Sequence, residues 1–314
     1  MWIAVWLAVS LPVAVTGDGF TVRAEPGLAG VAARVAAQVP GDLDAIYADL
    51  DGLPRPPAVD IRIVRDAASL SDVAPGGARV PAWADGVAFP RYGVVAVALR
   101  RGARDIDLPS TVTHELAHLA LGAALGGRAP RWLDEGFAYL HSADMSLDRA
   151  RALAGIAWGG HRYALRDLAH SFPAGHDAAA RAYVQAYDFV AYLAKRGRFA
   201  DDADDGNRAP FRQFLREIAR TGGVDRAAIE AFGLPLELLE REWYEHVRRT
   251  YLWSLVGLFS ALVWCVAAGL LVVGWLRRRR ENRRRLAQWA IAEAAEDGAL
   301  AGVPPGGTEP PWLH

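Results

Sequence analysis

"TVTHELAHLALG", residues 111–122, decides how this chain is read. About three helical turns of mostly apolar residues carry His114, Glu115 and His118. A polar group in an apolar setting costs free energy unless something satisfies it. Positions four apart share one face of a helix, so His114 and His118 converge on one point, with Glu115 one residue round from the first. Two imidazoles so placed suit Zn²⁺. The glutamate between them is free to reach a water without binding the ion, which is the place of a general base. Val112, Leu116, Leu119 and Ala120 supply the apolar face that makes the segment helical. The competing reading of the pair is two hydrogen-bonded histidines at the rim of a core.

A third ligand is needed. Continuation as H-x-x-G-x-x-H is excluded, because Leu121 and Ala124 occupy those positions. The next helical segment, "PRWLDEGFAYL" (130–140), offers Asp134 and Glu135. Neighbours on a helix project ~100° apart, so one of them points at a given ion. Trp132, Leu133, Phe137 and Ala138 surround Glu135 with apolar side chains, where an unpaired carboxylate is costly.

The two motifs together, "HELAHLALG" and "PRWLDEGFAYL", resemble the gluzincin metallopeptidases of the thermolysin-like superfamily, the peptidase MA-like group. "AYVQAYDFVAYLAKRG" and "FRQFLREIARTGGVDRAAIEAFGLPLELLEREW" are similar to that group's later helices, so the likeness spans about residues 58–249. The spacing is shorter than in thermolysin. The resemblance implies Glu135 as third ligand, completing the set His114, His118 and Glu135, with Zn²⁺ as cofactor and Glu115 as base. It implies an α+β fold, a small sheet packed on helices with a zincin-type metal cleft between sheet edge and helical lobe. It also implies a peptide or protein substrate laid along an edge strand, with residues 92–99 the candidate, against a plain core strand as the equal alternative. Related enzymes use a tyrosine or histidine to stabilise the oxyanion. Tyr183 and Tyr187, four apart on one helix, are the candidates here, against a plain core role for both. His141, His161, His170 and His176 read as surface or loop histidines.

Around the motifs, residues 27–50 read as a helix interrupted at Pro40-Gly41, and 58–64 and 92–99 as strands. The second strand is continuously apolar, which suits a sheet covered on both faces. Residues 74–92, with Pro75, Pro81, Pro90 and several glycines, read as loop. Helices are expected over 110–122, with Ser110 or Thr111 as N-cap, from Pro130, over 178–197, 211–221 and 225–249, the last broken around Gly233-Leu234-Pro235. Strands come early and helices late, the order of an α+β chain.

The chain has 314 residues, with 35 Lys and Arg against 36 Asp and Glu. That balance argues against a nucleic-acid partner, which favours a basic surface. The distribution says more. Residues 252–276 carry no charge, enough for a helix of about 37 Å against a bilayer core of ~30 Å. Seven arginines follow at 277–285. By the positive-inside rule they place the C-terminal tail in the cytoplasm and the preceding domain outside it; the same run suits anionic lipid headgroups. "MWIAVWLAVSLPVAV" reads as an export signal or an uncleaved anchor. The lone Cys265 falls in the apolar run, so no disulfide serves the domain. The expected organisation is a signal peptide at 1–17, an extracytoplasmic zinc-peptidase-like domain at 18–250, one C-terminal transmembrane helix at 251–276, and a basic tail at 277–314, partly disordered. The expected partners are the substrate and the lipid bilayer, and the expected location is the cell membrane, single-pass. The oligomeric state stays open. The competing function is a non-catalytic, membrane-tethered binding or scaffolding module. An intramembrane protease is excluded, because the motif lies far from the apolar run.

Overall fold

"VVAVA" (94–98) is buried at every position, the mark of a strand covered on both faces. It opens β5 (Val94–Arg101), whose alternate side chains enter different cores. Val95 and Val97 join the main core, while Ala96 and Ala98 join a smaller one with Val64, Leu70, Val73 and Ile106. The computed structural model describes residues 10–142, 147–196 and 208–301, leaving aside the side chains of 147–149, 252–262 and 293–301.

The other strands are β1 (Val13–Gly17), β2 (Phe20–Ala24), β3 (Val59–Asp66), β4 (Gly86–Phe89) and β6 (Arg104–Asp105). The helices are α1 (Ala29–Asp49), α2 (Leu108–Leu125), α3 (Arg131–Ser142), α4 (Leu147–Ala157), α5 (His176–Lys195), α6 (Ala209–Thr221), α7 (Val224–Phe232) and α8 (Leu236–Ala301). The sheet runs β1-β2-β3-β5-β4, with β6 beside the end of β5. β2, β3 and β5 are parallel, and β1 and β4 are antiparallel to their neighbours. This is a mixed helix and sheet fold, a small sheet on helices.

β5 lies between β3 and β4, so the expected edge strand at 92–99 is corrected to an interior one. The edge beyond β5 is β4, inside the stretch read as loop; β1 is the opposite edge. Asp85 O accepts Ala98 N–H at 3.0 Å. By strand alternation the main-chain groups of residues 86 and 88 therefore face outward.

α1 runs unbroken through Pro40, where an interruption was expected. An internal proline costs ~3 kcal/mol, and burial of Ala32, Val35, Val39 and Ile46 outweighs it. α2 begins earlier than expected, capped by Asp107, whose carboxylate accepts Ser110 N–H at 3.4 Å. Its end is set by Gly126 in the left-handed region (φ 59°), which an L side chain resists.

The chain divides into two compact units, Met1–Leu252 and Trp253–His314. Residues 13–17, the end of the expected signal segment, form β1 on the sheet; residues 1–9 lie outside the described residues, as do the acidic stretch 200–207 and the tail 302–314. Among the described residues no helix is long and apolar enough to cross a membrane. The expected span falls within α8. The expected transmembrane helix at 251–276 and the single-pass cell-membrane localisation are overturned by that finding. The extracytoplasmic orientation and the bilayer partner lose their basis with them.

Candidate metal centre

α2 presents His114 and His118 on one face because its other faces are committed. Val112, Leu116, Ala117, Leu119, Ala120 and Leu121 are buried in the core. α3 brings Glu135 to the same point. The first N–H groups of α3 are satisfied from outside the helix: Arg131 N–H donates to Ala169 O (2.9 Å) and Trp132 N–H to Leu168 O (3.2 Å). That segment is in turn held by Gln185 of α5, fully buried, which accepts Tyr163 N–H (3.0 Å) and donates to Tyr163 O (2.5 Å). Trp132 and Phe137 anchor α3 in the core.

His114 Nε2 and His118 Nε2 lie 3.1 Å apart, and Glu135 Oε2 lies 3.9 Å from the first and 3.6 Å from the second. Tetrahedral zinc with bonds of ~2.0–2.1 Å spaces its ligand atoms about 3.3 Å apart. The three donors therefore form a triangle of suitable size, and the set of two imidazoles and one carboxylate suits Zn²⁺. Among the described residues this is the group of His, Cys, Asp and Glu side chains that could hold an ion.

Each imidazole is oriented from behind. Asp134, one residue before Glu135, points away from the triangle as the ~100° rule requires, and its Oδ1 meets His118 Nδ1 at 2.9 Å. His114 Nδ1 lies 3.2 Å from Ser142 Oγ. Burial opposes charge on His118, but the Asp134 carboxylate, the hydrogen bonds the ring donates to Asp134 and Glu135, and Glu115 together hold it well above its ordinary value. His114 is pushed down to about 3, by burial first and then by the His118 charge. The carboxylates of Asp134, Glu135 and Glu115 thus favour positive charge at the triangle.

Glu115 is not part of the triangle. It is 8% exposed and lies under the edge strand, where it accepts Ala88 N–H. Burial pushes its carboxyl up to about 7; the His118 charge pulls against this, while Glu135 and Asp134 add to it.

Of the two tyrosines, Tyr183 comes to the centre. Burial raises its hydroxyl, Glu135 raises it further, and a hydrogen bond with Arg131 lowers it. Arginine has only donors, so the Tyr183 oxygen accepts from Arg131 and keeps its own proton to give. Its ring meets those of Tyr139 (5.7 Å) and Phe172 (4.7 Å), and Tyr139 meets His114 (4.7 Å). Tyr187 is half-buried one turn along α5. Arg131 also approaches Glu135 Oε1 at 3.5 Å. His161, His170 and His176 are exposed as expected, but His141 is not a surface residue: its side chain is 7% exposed and pairs with buried Asp49 at 3.2 Å. The sequence reading missed Asp134, Ser142, Arg131, Tyr139 and the outward face of β4. Only Asp134 carried a signal, as an acid beside a ligand.

No curated protein matches the chain. The profile of the Peptidase MA superfamily matches residues 47–249, which include both histidines, Glu115, Glu135 and Tyr183. The chain belongs to the Peptidase MA superfamily.

Proposed function

We propose that this chain is a zinc-dependent peptidase of the gluzincin type, hydrolysing peptide bonds with Glu115 as general base and His114, His118 and Glu135 as metal ligands. The observation that carries the reading is Glu115. It lies outside the ligand triangle yet is buried beside it, with its carboxyl pushed up to about 7 by burial and one oxygen on Ala88 N–H of the edge strand, so a proton acceptor stands between the ligands and the strand that would hold a peptide.

Bound by the three ligands, zinc would polarise a carbonyl and acidify a water. The protein's own groups do the rest. A peptide adds to the outward face of β4, pairing with the N–H and C=O of Gly86 and with the C=O of Ala88, whose N–H is held by Glu115. Glu115 takes the proton of the attacking water as the C–O bond forms. It then returns that proton to the departing nitrogen as the C–N bond breaks, leaving a free amine and a carboxylate. Tyr183, with its oxygen held by Arg131, donates its proton toward the developing oxyanion.

A digest of unfolded protein substrates by the full chain tests this. The reading predicts cleavage that a chelator abolishes, that zinc restores, and that Glu115→Gln lacks while still binding zinc. Chelator-resistant cleavage, or full activity in Glu115→Gln, would contradict it.

A further inference from the structure

We propose that Ser142 is a positioning residue of the metal site: its oxygen accepts the Nδ1–H of His114 and so determines which imidazole nitrogen is left to bind a cation. The inference rests on the reading of His114, His118 and Glu135 as zinc ligands, and it concerns how one of those ligands is prepared.

A serine hydroxyl has one proton. Ser142 Oγ gives it to Ala138 O, 2.8 Å away in the preceding turn of α3. Toward His114 Nδ1, at 3.2 Å, the oxygen can then only accept. Nδ1 must therefore carry the hydrogen, and the lone pair is left on Nε2, the atom that faces His118 Nε2 and Glu135. In the other tautomer, the Nδ1 lone pair would face the Ser142 lone pair while an N–H pointed into the triangle. Serine bonding back to the carbonyl four residues earlier is common at helix ends, but that habit gives no reason for the hydroxyl oxygen to meet an imidazole nitrogen.

Ser142 is itself fixed from α2. Ser110 Oγ, one turn before His114, donates to Ser142 O at 2.8 Å. Its chain neighbour His141 is packed against Phe137 and paired with Asp49. The closed path Ser110–Ser142–His114 ties the last residue of α3 to two successive turns of α2. With Asp134 on His118 at the opposite end, α3 supplies one ligand and the orienting partner of each of the other two. The two partners differ in kind. A carboxylate faces His118 and a neutral hydroxyl faces His114, so the Ser142 contact orients the ring without adding charge.

Groups that orient a metal-bound histidine are worth about 10–100-fold in affinity. The test uses the full chain and the pair Ser142→Thr and Ser142→Val, alike in shape and different in the hydroxyl, with Ser142→Ala as a second hydroxyl-free variant. Zinc affinity is measured by competition with a chromophoric chelator, and the site's symmetry by the visible spectrum of the cobalt-substituted protein. Ser142→Thr is expected to stay within about threefold of the parent with the same cobalt bands. Ser142→Val and Ser142→Ala are expected to lose about 10–100-fold, with shifted bands and metal-free melting like that of the Thr variant. Parent-like affinity and bands in either hydroxyl-free variant overturn the proposal. So does loss of the fold in both, which would assign Ser142 to stability alone. A parent that binds no zinc removes the metal reading itself, a separate outcome, and this inference with it.

Discussion

Gly86 of the edge strand lies against the side chain of Glu115. A Cβ built at position 86 would stand 2.8 Å from Glu115 Cγ, 3.1 Å from its Oε1 and 3.0 Å from Thr111 Cγ2. The strand that would hold a peptide and the residue that would move its proton are thus in contact, and only glycine allows it. Gly86→Ala should displace the Glu115 carboxylate while sparing the ligand triangle. Misplacing a catalytic group by about 1 Å costs on the order of 10²-fold. The expected outcome is a kcat loss of that order with unchanged zinc content, read by steady-state kinetics and metal analysis on the same sample. Unaltered kcat would mean that Glu115 does not act from this position.

The metal-free protein should carry a pH signature from the same residue. A carboxyl raised from an ordinary 4.5 to about 7 holds its proton more tightly in the native state than in the unfolded chain. Its contribution to stability is complete below 4.5 and is lost as pH rises through about 7. Glu115→Gln removes that loss. In chelator, the variant should match the parent near pH 4 and exceed it by up to about 3 kcal/mol above pH 8, followed by urea unfolding across that range. A difference that does not change with pH would count against a Glu115 carboxyl held up by burial.

The two tyrosines should separate. Tyr183 keeps a donatable proton beside Glu135 because Arg131 occupies its oxygen. Tyr183→Phe should lower kcat about 10–10³-fold with KM little changed, the pattern of an interaction made in the transition state. Tyr187→Phe should stay within about twofold of the parent. Equal effects of the two changes would remove Tyr183 from the proposed mechanism.

The placement of Glu135 depends on a close crossing of α3 and α5 at its neighbour, Gly136. A Cβ there would meet Ala186 O and Val190 Cγ2, each at 2.5 Å. Alanine gains ~1 kcal/mol of helix propensity over glycine, but a backbone oxygen cannot turn aside as a flexible side chain would. Gly136→Ala should therefore destabilise by about 1–3 kcal/mol net, measured by denaturant unfolding. A stabilised variant would show that the two helices part at little cost.

The sequence displayed what is local. His114 and His118 share a helix face by spacing alone, and Glu135 sits amid apolar residues that predict its burial. It hid what depends on distant partners. β4 is four residues among prolines, too short to show a period, and it is a strand because β5 pairs with it and Glu115 meets Ala88 N–H. Asp134 was set aside because it turns from the ion, yet that turn is what brings it behind His118. His141 finds its acid, Asp49, on another helix far back along the chain. Pro40 suggested a break that tertiary packing overrides. The uncharged run 252–276 suggested a membrane span, and among the described residues no helix meets the requirement.

The central claim is that two imidazoles from α2 and one carboxylate from α3 close on a single zinc ion. X-ray absorption at the zinc edge, on the full chain loaded and then dialysed, tests it most directly. The account predicts one zinc per chain with two imidazole ligands at ~2.0–2.1 Å and oxygen in the remaining positions. Glu135→Gln should keep both imidazole signals and lose affinity. Zinc retained well below one per chain, or a shell of oxygens without imidazole, would contradict it.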